Sequence, residues 1–411
     1  MIEFGRGPLA GIDLVDPRTH ADTDLRPIWA FLRRTCPVVW HPWGDAGFWV
    51  VSRHEHVRQI SADTRRFTSR RGNSLNALLA GGDPAGGRML PMSDGPRHAA
   101  IRSRIARCVR RAVKAGAKER LDQSVRARLT GVLDTDAELS GAFAGHVASG
   151  AICDLLGVRE GADREQLCSA AAAALASAHR DAREEDGRIA RLEILMIFSR
   201  LVEERGAGLG DDLLSDLVRL QQSDLQLTMQ EILYNCYSLL IGGSEEPRYA
   251  IVGMLHALSQ HPEEWTRLKS GAIPARAAVE EVLRWTCPVL HVARTVVEDT
   301  QVGDALLQSG QMVSLWYTSA NFDDDVFADA SRLILDRESN PHLSFGFGPH
   351  FCLGATLARM EVQAVLEALV ERVDRIEALG DPRPVYSNFV SGLARLPARL
   401  HGRTPRAGQR S

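Results

Sequence analysis

A glycine-rich segment near the C-terminus carries one cysteine, Cys352, directly before a sequence that favours a helix. Gly346 and Gly348 allow tight backbone turns ahead of the cysteine, and Gly354 lets the helix approach something flat and bulky. The helix would continue through residues 355–361, and the positive end of a helix favours a thiolate over a thiol. Because a thiolate on a rigid loop is a good ligand for soft or borderline metals, we expect Cys352 to bind a metal ion.

The complete segment resembles the haem-binding signature of the cytochrome P450 family. The positions that agree at fixed spacing are Phe345, Gly346, Gly348, His350, Cys352, Gly354, Leu357, Ala358, Arg359 and Glu361. The resemblance extends from about residue 10 to residue 400 and implies a mainly α fold with small β-sheets, in which the haem lies between a long central helix and the cysteine loop. It implies haem b (iron protoporphyrin IX) as the cofactor, with Cys352 as the iron ligand.

The resemblance also implies which residues surround the haem. Phe345 and Gly354 would line its proximal face, and His350 would contact a propionate. Buried haem carboxylates need charged partners. The positions that match the family's other propionate anchors are His98, Arg102 and Arg294.

A second family element is a Glu-x-x-Arg pair on a helix. Glu281 and Arg284 supply it, and their i,i+3 spacing places both side chains on one face of the helix. In the family an arginine from a downstream loop joins the pair, and Arg332 is the matching candidate here. These three residues are expected to have a structural role.

The central helix departs from the family pattern. Gly242, Gly243 and Glu245 match it, and Gly243 is expected beside the haem, but Glu246 occupies the position of the usual alcohol and Pro247 follows. A proline inside a helix removes one backbone hydrogen bond and opens a kink. In the family the alcohol supports proton delivery to iron-bound oxygen.

Three interpretations of Glu246 remain open at this point. Its carboxyl can relay protons directly or through water, and burial would raise its pKa so that it holds a proton near neutrality. Alternatively it points away, and a substrate hydroxyl or a water replaces the alcohol. In the third interpretation oxygen insertion is not the outcome of the reaction. Glu245 and Glu246 are the predicted catalytic residues.

The resemblance implies a substrate pocket lined by the segment 73–91, helices within 170–200, the central helix, the segment after Pro288 and the turn at Phe389. The predicted substrate-binding residues are Asn76, Leu79, Leu239, Leu290, Val292, Phe389 and Val390. Their mixture of aliphatic side chains, one phenylalanine and one amide indicates a mid-sized, mainly apolar substrate.

Composition and charge exclude several other classes of protein. The chain has 411 residues and a net charge of −3, which argues against a nucleic-acid partner. No apolar run reaches the length of roughly 18–20 residues needed to span a bilayer, and the N-terminus has no signal sequence, so we expect a cytoplasmic protein without a membrane partner. The seven cysteines are scattered, which disfavours a disulfide framework, a zinc site and an iron–sulfur cluster.

The leading hypothesis is a haem-thiolate monooxygenase of bacterial natural-product biosynthesis that inserts one oxygen atom of O2 into an organic substrate. The alternatives are oxidative coupling or dehydrogenation without oxygen insertion, and a catalytically silent relative that binds a ligand or carrier protein. Electrons would come from a separate ferredoxin and its NAD(P)H reductase. A docking site for the ferredoxin is predicted at the basic residues Arg104, Arg107, Arg110, Arg111, Lys114 and Lys118.

Apolar periodicity predicts the main elements. The chain would form one domain over residues 1–411, with loose termini at 1–10 and 402–411. Helices are predicted over 97–120, 160–182, 187–205, 211–220, 226–258, 274–286 and 353–373. Strands are predicted over 47–52, 294–297 and 312–316.

Overall fold

The computed structural model describes residues 4–403 except residues 115, 175–183 and 207. Its α-helices are α1 Pro17–Asp22, α2 Arg26–Thr35, α3 His54–Ala62, α4 Leu75–Leu79, α5 Gly95–Lys114, α6 Ala117–Val132, α7 His146–Leu156, α8 Ala162–Ala174, α9 Glu184–Gly206, α10 Leu213–Arg219, α11 Met229–Gln260, α12 Pro262–Lys269, α13 Ala275–Thr286, α14 Tyr317–Ala320 and α15 Ala355–Arg372. A π-helical turn covers Ser140–Gly145, and short 3-10 helices cover Gly7–Leu9, Leu90–Met92, Leu220–Gln222 and Gly348–His350.

The strands form small sheets around this helical body. They are β1 Val38–Trp43, β2 Ala46–Val51, β3 Phe67–Thr68, β4 Asp136–Glu138, β5 His291–Val296, β6 Thr300–Val302, β7 Ala305–Leu307, β8 Met312–Trp316, β9 Val373–Ala378, β10 Arg383–Pro384, β11 Leu393–Arg395 and β12 Pro397–Gly402. The largest sheet has the order β1-β2-β8-β5-β3, in which only β2 and β8 run parallel. The other sheets are β4-β12-β9, β6-β7 and β10-β11. The predicted fold class, mainly α with small sheets, is confirmed.

Helix α11 is the long central helix that the sequence predicts over 226–258. It begins with a capping box, since the backbone N–H of Glu231 donates to Thr228 Oγ1 and the backbone N–H of Thr228 donates to Glu231 Oε2. Helices α7, α13 and α15 contact it. Its central position therefore lets residues on one of its faces form the wall of an internal cavity. None of the described helices has the length and apolar character required to cross a membrane.

The predicted boundaries shift by a few residues at most elements, and the end of the helix predicted over 160–182 lies outside the described residues, which stop at Ala174 here. The helix expected over 97–120 is two helices, α5 and α6, because Gly116 adopts a left-handed backbone conformation with φ +75° just before α6. The N-terminus is not loose from residue 4 onward: Phe4 and Leu9 are buried against Leu14 and other apolar side chains. At the other end Gly402 still belongs to β12, and residues 404–411 lie outside the described part of the chain.

A buried network of ion pairs connects α13 to the segment that follows β8. Arg284 Nε and Nη2 donate to the two carboxylate oxygens of Glu281, each at 2.8 Å, and both side chains are fully buried. The third partner is Arg337, whose Nε donates to Glu281 Oε2 at 3.0 Å. The prediction of Arg332 in this position is wrong. Its side chain is 72% exposed, and only its backbone oxygen accepts hydrogen bonds, from Arg284 and Arg337.

This difference gives a test of the network. Arg337→Ala is expected to lower the free energy of unfolding by about 3–5 kcal/mol, because it leaves part of the buried Glu281 carboxylate unpaired. Arg332→Ala, which removes an exposed side chain from the same segment, is expected to change it by less than about 0.5 kcal/mol. Denaturant unfolding of both variants measures the difference, and equal effects would contradict this assignment of the third partner.

Candidate active site

A cavity of about 1140 Å³ lies between α11 and the segment that carries Cys352. The start of α15 completes the wall on the cysteine side, and residues from α4, α5, α7, α9, β5 and the turn at 386–390 form the remaining walls. Pockets for one small ligand are usually about 300–1,000 Å³. The cavity therefore has room for a large planar group together with a second, smaller molecule.

The loop before Cys352 is held by turns that require glycine. Gly348 has φ +72°, and a Cβ at this position would lie 2.7 Å from the carbonyl oxygen of Ser61. The backbone N–H of Cys352 donates to the Phe345 carbonyl oxygen at 2.8 Å. A Cβ at Gly354 would lie 3.9 Å from Cys352 Sγ, with no other side chain of the described residues within 4 Å. The sulfur is thus fixed at the cavity wall with open space beside it.

The protein groups around Cys352 raise the pKa of its thiol, although the sequence predicts that the start of a helix lowers it. Burial raises its pKa to about 11, and the negative charge of Glu246 acts in the same direction. The backbone N–H of Gly354 and the guanidinium groups of Arg102 and Arg359 lower the pKa, but by less. A metal cation at the sulfur would reverse this balance, since a coordinating thiol loses its proton.

Basic side chains line the same cavity next to the cysteine. They are His98, Arg102, Arg294 and His350. Arg294 is 3% exposed, and its Nη1 donates to the Ala293 carbonyl oxygen at 2.8 Å. Within the described residues no carboxylate forms an ion pair with Arg294, and His98 Nε2 is buried without a hydrogen-bond partner. Burying the Arg294 guanidinium calls for an anionic partner, and the unpartnered His98 Nε2 calls for a hydrogen-bond partner; the two carboxylates of haem can serve as both.

The ring of His350 is held in place by Asp94. Its Nε2 lies 2.9 Å from Asp94 Oδ1, and it stacks on His98 with ring centroids 4.5 Å apart. Asp94 also accepts hydrogen bonds from Thr68 and Ser69. Burial opposes ionisation of Asp94, but the hydrogen bonds from His350, Thr68 and Ser69 outweigh it and hold its pKa below the usual range. A haem fits the combination of an open thiol, a glycine-lined wall and two guanidinium groups, Arg102 and Arg294, for which the described residues provide no carboxylate partner.

The opposite wall is the middle of α11. A Cβ at Gly243 would lie 2.6 Å from Ile152 Cγ1 on α7, so glycine lets the two helices approach closely. Gly243 also lines the cavity. Pro247 has no N–H, so the Gly243 carbonyl oxygen has no i+4 donor within the helix. The Gly243 carbonyl oxygen is therefore a polar backbone atom without its usual hydrogen-bond donor in the helix.

Glu246 lines the cavity and does not point away from it. A Cβ at Gly242 would lie 3.3 Å from Glu246 Oε2, so the carboxyl group lies over the glycine one turn earlier. Burial raises the pKa of Glu246 to about 8, and the nearby charge of Glu245 contributes to the rise. The carboxyl group is therefore protonated at neutral pH and has a proton to donate into the cavity.

Glu245 has a different environment and does not line the cavity. Its Oε2 lies 2.6 Å from Arg248 Nη2 and accepts a hydrogen bond from the Tyr249 hydroxyl at 3.2 Å. Burial raises the pKa of Glu245, whereas Arg248 and Tyr249 oppose that rise. Glu245 thus acts on the neighbouring Glu246 through its charge, and its own role at the reacting atoms stays a prediction.

The predicted substrate-binding residues divide into two groups. Asn76, Leu239, Val292, Phe389 and Val390 line the cavity. Leu79 and Leu290 do not: both belong to the apolar core beside the largest sheet. The sequence does not distinguish apolar residues that line a pocket from apolar residues that pack in the core, because the same residue types serve both purposes.

Several polar residues of the cavity were not among the predicted site residues. Tyr237 and Ser238 on α11 line it, and the four-residue spacing of Ser238, Gly242 and Glu246 is a helical signal that could have identified Ser238. Glu361 lines it too and is completely buried, and neither of its carboxylate oxygens has a hydrogen-bond partner among the residues that the structure describes. Burial raises the pKa of Glu361 well above the usual value, so this carboxyl group is uncharged.

Two amides close one side of the cavity. Asn76 Nδ2 donates to Asn388 Oδ1 at 3.0 Å, and Asn388 Nδ2 donates to Asn76 Oδ1 at 2.7 Å. Asn388 Nδ2 also donates to the Val15 carbonyl oxygen at 2.7 Å. The pair joins α4 to the turn at 386–390 and to the N-terminal segment, which are distant in sequence.

Loss of either amide is expected to leave its partner unsatisfied. Asn76→Ala and Asn388→Ala should each lower the free energy of unfolding by about 1–3 kcal/mol, and the double variant should lose less than the sum. Denaturant unfolding of the two single variants and the double variant gives the coupling. Gln301→Ala, which removes an exposed amide that bonds only Gly303, is the control. Strictly additive losses would contradict the reciprocal bond.

Comparison with known proteins gives one consistent result. Residues 275–400 match the family model described as Cytochrome P450. The chain is 38% identical over 397 residues to the protein named Cytochrome P450 NovI of Streptomyces niveus, covering 96% of this chain and 97% of that protein. Other curated relatives are named monooxygenases.

Solved structures agree with the curated relatives. The crystal structure of P450 OxyD, described as involved in the biosynthesis of vancomycin-type antibiotics, has a TM-score of 0.87 at 33% identity and covers 96% of this chain and 100% of that chain. The P450 enzyme CxnD, described as serving C–S bond formation in chuangxinmycin biosynthesis, has a TM-score of 0.83 at 26% identity and covers 96% and 99% of the two chains.

Proposed function

The chain belongs to the cytochrome P450 family, whose members bind haem and act as monooxygenases, and we propose that it inserts one oxygen atom of O2 into a mid-sized, mainly apolar organic substrate. One observation carries the proposal: Cys352 and the proton-bearing carboxyl of Glu246 line the same cavity from opposite walls. The thiol and the acid can therefore both contact a cofactor and a substrate that are bound together in this cavity.

The residues that would hold the haem follow from the site. Cys352 Sγ would ligate the iron, and Phe345, Gly354 and Gly243, which line the same cavity, would contact the haem. His98, Arg102, Arg294 and His350 would bind the propionates as charge-assisted hydrogen-bond donors. When bound, thiolate-ligated haem supplies an electron-rich iron that favours cleavage of the O–O bond.

Glu246 would deliver the proton that O–O cleavage consumes. Its carboxyl lies over Gly242 inside the cavity, and its raised pKa, about 8, keeps it protonated near neutrality. General acids are most effective when their pKa lies near the working pH. Glu246 then recovers a proton from water in the cavity. We propose this direct or water-mediated relay over the interpretation in which Glu246 points away.

Two neighbours would set the behaviour of Glu246. Glu245 is held by Arg248 and Tyr249, so its charge acts from a fixed position and helps to keep Glu246 protonated. Pro247 leaves the Gly243 carbonyl oxygen free of a helical donor. That carbonyl can order a water next to the carboxyl, which would complete the relay.

The substrate would lie between α11 and the wall that includes Val292, Phe389 and Val390. These side chains are apolar, so they exclude water and favour an apolar molecular body. The amides of Asn76 and Asn388 satisfy each other, and Tyr237 and Ser238 on α11 offer hydroxyl groups to a substrate in the cavity. We propose a natural-product intermediate, supported by the similarity to proteins of antibiotic biosynthesis.

The electron donor is proposed to be a ferredoxin that docks on the outer face of α5, served by its NAD(P)H reductase. Arg107 and Arg110 are exposed on that helix. Other predicted docking residues are held in intramolecular ion pairs: Arg104 with Asp224, Arg111 with Asp216, and Lys118 with Asp122. The side chain of Lys114 lies outside the described part of the structure. Arg107 and Arg110 therefore carry most of the attraction for an acidic partner.

A second candidate reaction uses the same site without retaining oxygen. The observation that favours it is the absence of the usual alcohol at Glu246, together with the similarity to a P450 that serves C–S bond formation. Oxidative coupling or dehydrogenation would then be the outcome. The product distinguishes the two reactions, since only insertion adds an oxygen atom.

The experiment that tests the proposal starts from the ferric holoprotein. A panel of natural-product intermediates is titrated against the Soret band, and compounds that shift it are incubated with ferredoxin, reductase and NAD(P)H. We expect one scaffold class to bind and to give a product with one added oxygen atom per O2 consumed. A dehydrogenated or coupled product would favour the second candidate, and a protein without a Soret band would contradict both.

A further inference from the structure

Two cysteines outside the active site have their sulfur atoms in contact. Cys153 Sγ on α7 and Cys168 Sγ on α8 are 4.0 Å apart. All seven cysteines lie in the described residues and all are free thiols, and this is the only pair among them with sulfurs at such a distance. A disulfide has an S–S length of about 2.05 Å, so the two sulfurs need to approach each other by about 2 Å to form one.

The environment makes one of the two thiols the reactive one. Cys168 is partly exposed, whereas Cys153 is completely buried. The hydrogen bond from Cys153 lowers the pKa of Cys168, and Ser149, Arg164 and Arg128 lower it further against the opposing effect of burial. Reactive cysteines are those that combine thiolate character with access to solvent.

The two helices are already tied together at this point. Arg164 on α8 donates to the Gly150 carbonyl oxygen at 3.1 Å and to Asp154 Oδ1 at 2.6 Å, both of which belong to α7. Both cysteines lie on helices that Arg164 links, so the contact between their sulfurs does not involve a loop.

We propose that Cys153 and Cys168 form a redox-active dithiol, which hydrogen peroxide converts to a disulfide in the folded protein. The Cys168 thiolate attacks peroxide and becomes a sulfenic acid, releasing hydroxide. The Cys153 thiol then attacks the sulfenic sulfur, forming the S–S bond and releasing water. In sum, two thiols lose two electrons and two protons, and one peroxide is reduced to two waters.

The disulfide would lie directly behind the active-site wall. Ile152, the residue before Cys153, packs against Gly243 on α11 and lines the cavity together with Leu155. A bond from Cys153 to α8 would fix this part of the wall. Formation of the disulfide would thus restrain α7, a helix that borders the cavity.

The test counts thiols in the full-length holoprotein. After treatment with one equivalent of hydrogen peroxide the protein is denatured, alkylated and weighed intact. We expect five alkylated cysteines in place of the seven in the chain, restored to seven by dithiothreitol. Trypsin cleaves after Arg128, Arg159, Arg164 and Arg180, so the disulfide would link the separate peptides 129–159 and 165–180. Seven alkylated cysteines, or a link between other cysteines, would overturn the proposal.

Variants assign the roles of the two thiols. Cys168→Ala is expected to abolish the two-thiol loss, and Cys153→Ala to leave a sulfenic acid on Cys168 that dimedone traps. Cys108→Ala removes another partly exposed thiol and is expected to retain the disulfide, which makes it the matched control. If an alanine variant does not fold, the serine variant replaces it. Disulfide formation in Cys168→Ala, or its loss in Cys108→Ala, would contradict the assignment.

Discussion

Replacing Cys352 with serine is expected to abolish turnover and to remove the spectral signature of thiolate ligation. Serine has nearly the same shape, so the turn held by the Cys352–Phe345 backbone hydrogen bond remains. Its hydroxyl is far less acidic than a thiol, and burial at this position raises even the thiol pKa to about 11. An alkoxide is therefore not available to the iron, and the electron donation that favours O–O cleavage is lost.

The measurement compares the carbon monoxide difference spectrum of the reduced protein with its rate of substrate oxidation. Cys36→Ser is the control, since Cys36 is also a free, partly exposed cysteine but does not line the cavity. It should retain both the spectrum and the rate. A Cys352→Ser protein with an unchanged spectrum and rate would show that another residue ligates the iron.

Replacing Glu246 with glutamine is expected to lower coupled turnover by about 10²–10⁴-fold, the usual contribution of a general acid. Glutamine keeps the size and the polar contacts of the side chain but carries no acidic proton. The haem content and the substrate-induced Soret shift should stay the same, because Cys352 and the basic residues that face the propionates are untouched. Glu246→Asp, which retains a carboxyl group one methylene shorter, should recover part of the rate.

The pH dependence gives a second readout of the same residue. With its pKa raised to about 8, Glu246 is protonated and able to donate below that pH, and it loses the proton as the pH rises through 8. The native rate should therefore fall above pH 8, and the rate of the Glu246→Gln variant should show no such fall. Unchanged turnover in Glu246→Gln, with the same fall above pH 8, would contradict the relay.

The parts of the site that the sequence predicts well are those fixed by local backbone geometry. The turn glycines before Cys352 and the Glu281–Arg284 pair each depend on residues within a few positions of one another. The glycine at 348 illustrates this, since its positive φ and its contact with Ser61 leave no alternative. Such constraints are visible as residue types at fixed spacing.

What the sequence could not predict depends on contacts between distant segments. Arg337 rather than Arg332 reaches Glu281, because the path of the chain after β8 decides which side chain points inward. Leu79 and Leu290 face the core and not the cavity, although their residue type suits either. The contact between Cys153 and Cys168 requires the packing of α7 against α8, which no spacing indicates.

The most direct test of oxygen insertion is turnover under ¹⁸O₂ with a compound that shifts the Soret band. We predict one ¹⁸O atom in the product for each O2 consumed, and none when unlabelled O2 is used in ¹⁸O-labelled water. A product that is oxidised but carries no ¹⁸O from O2 would contradict monooxygenation and would establish coupling or dehydrogenation as the reaction of this site.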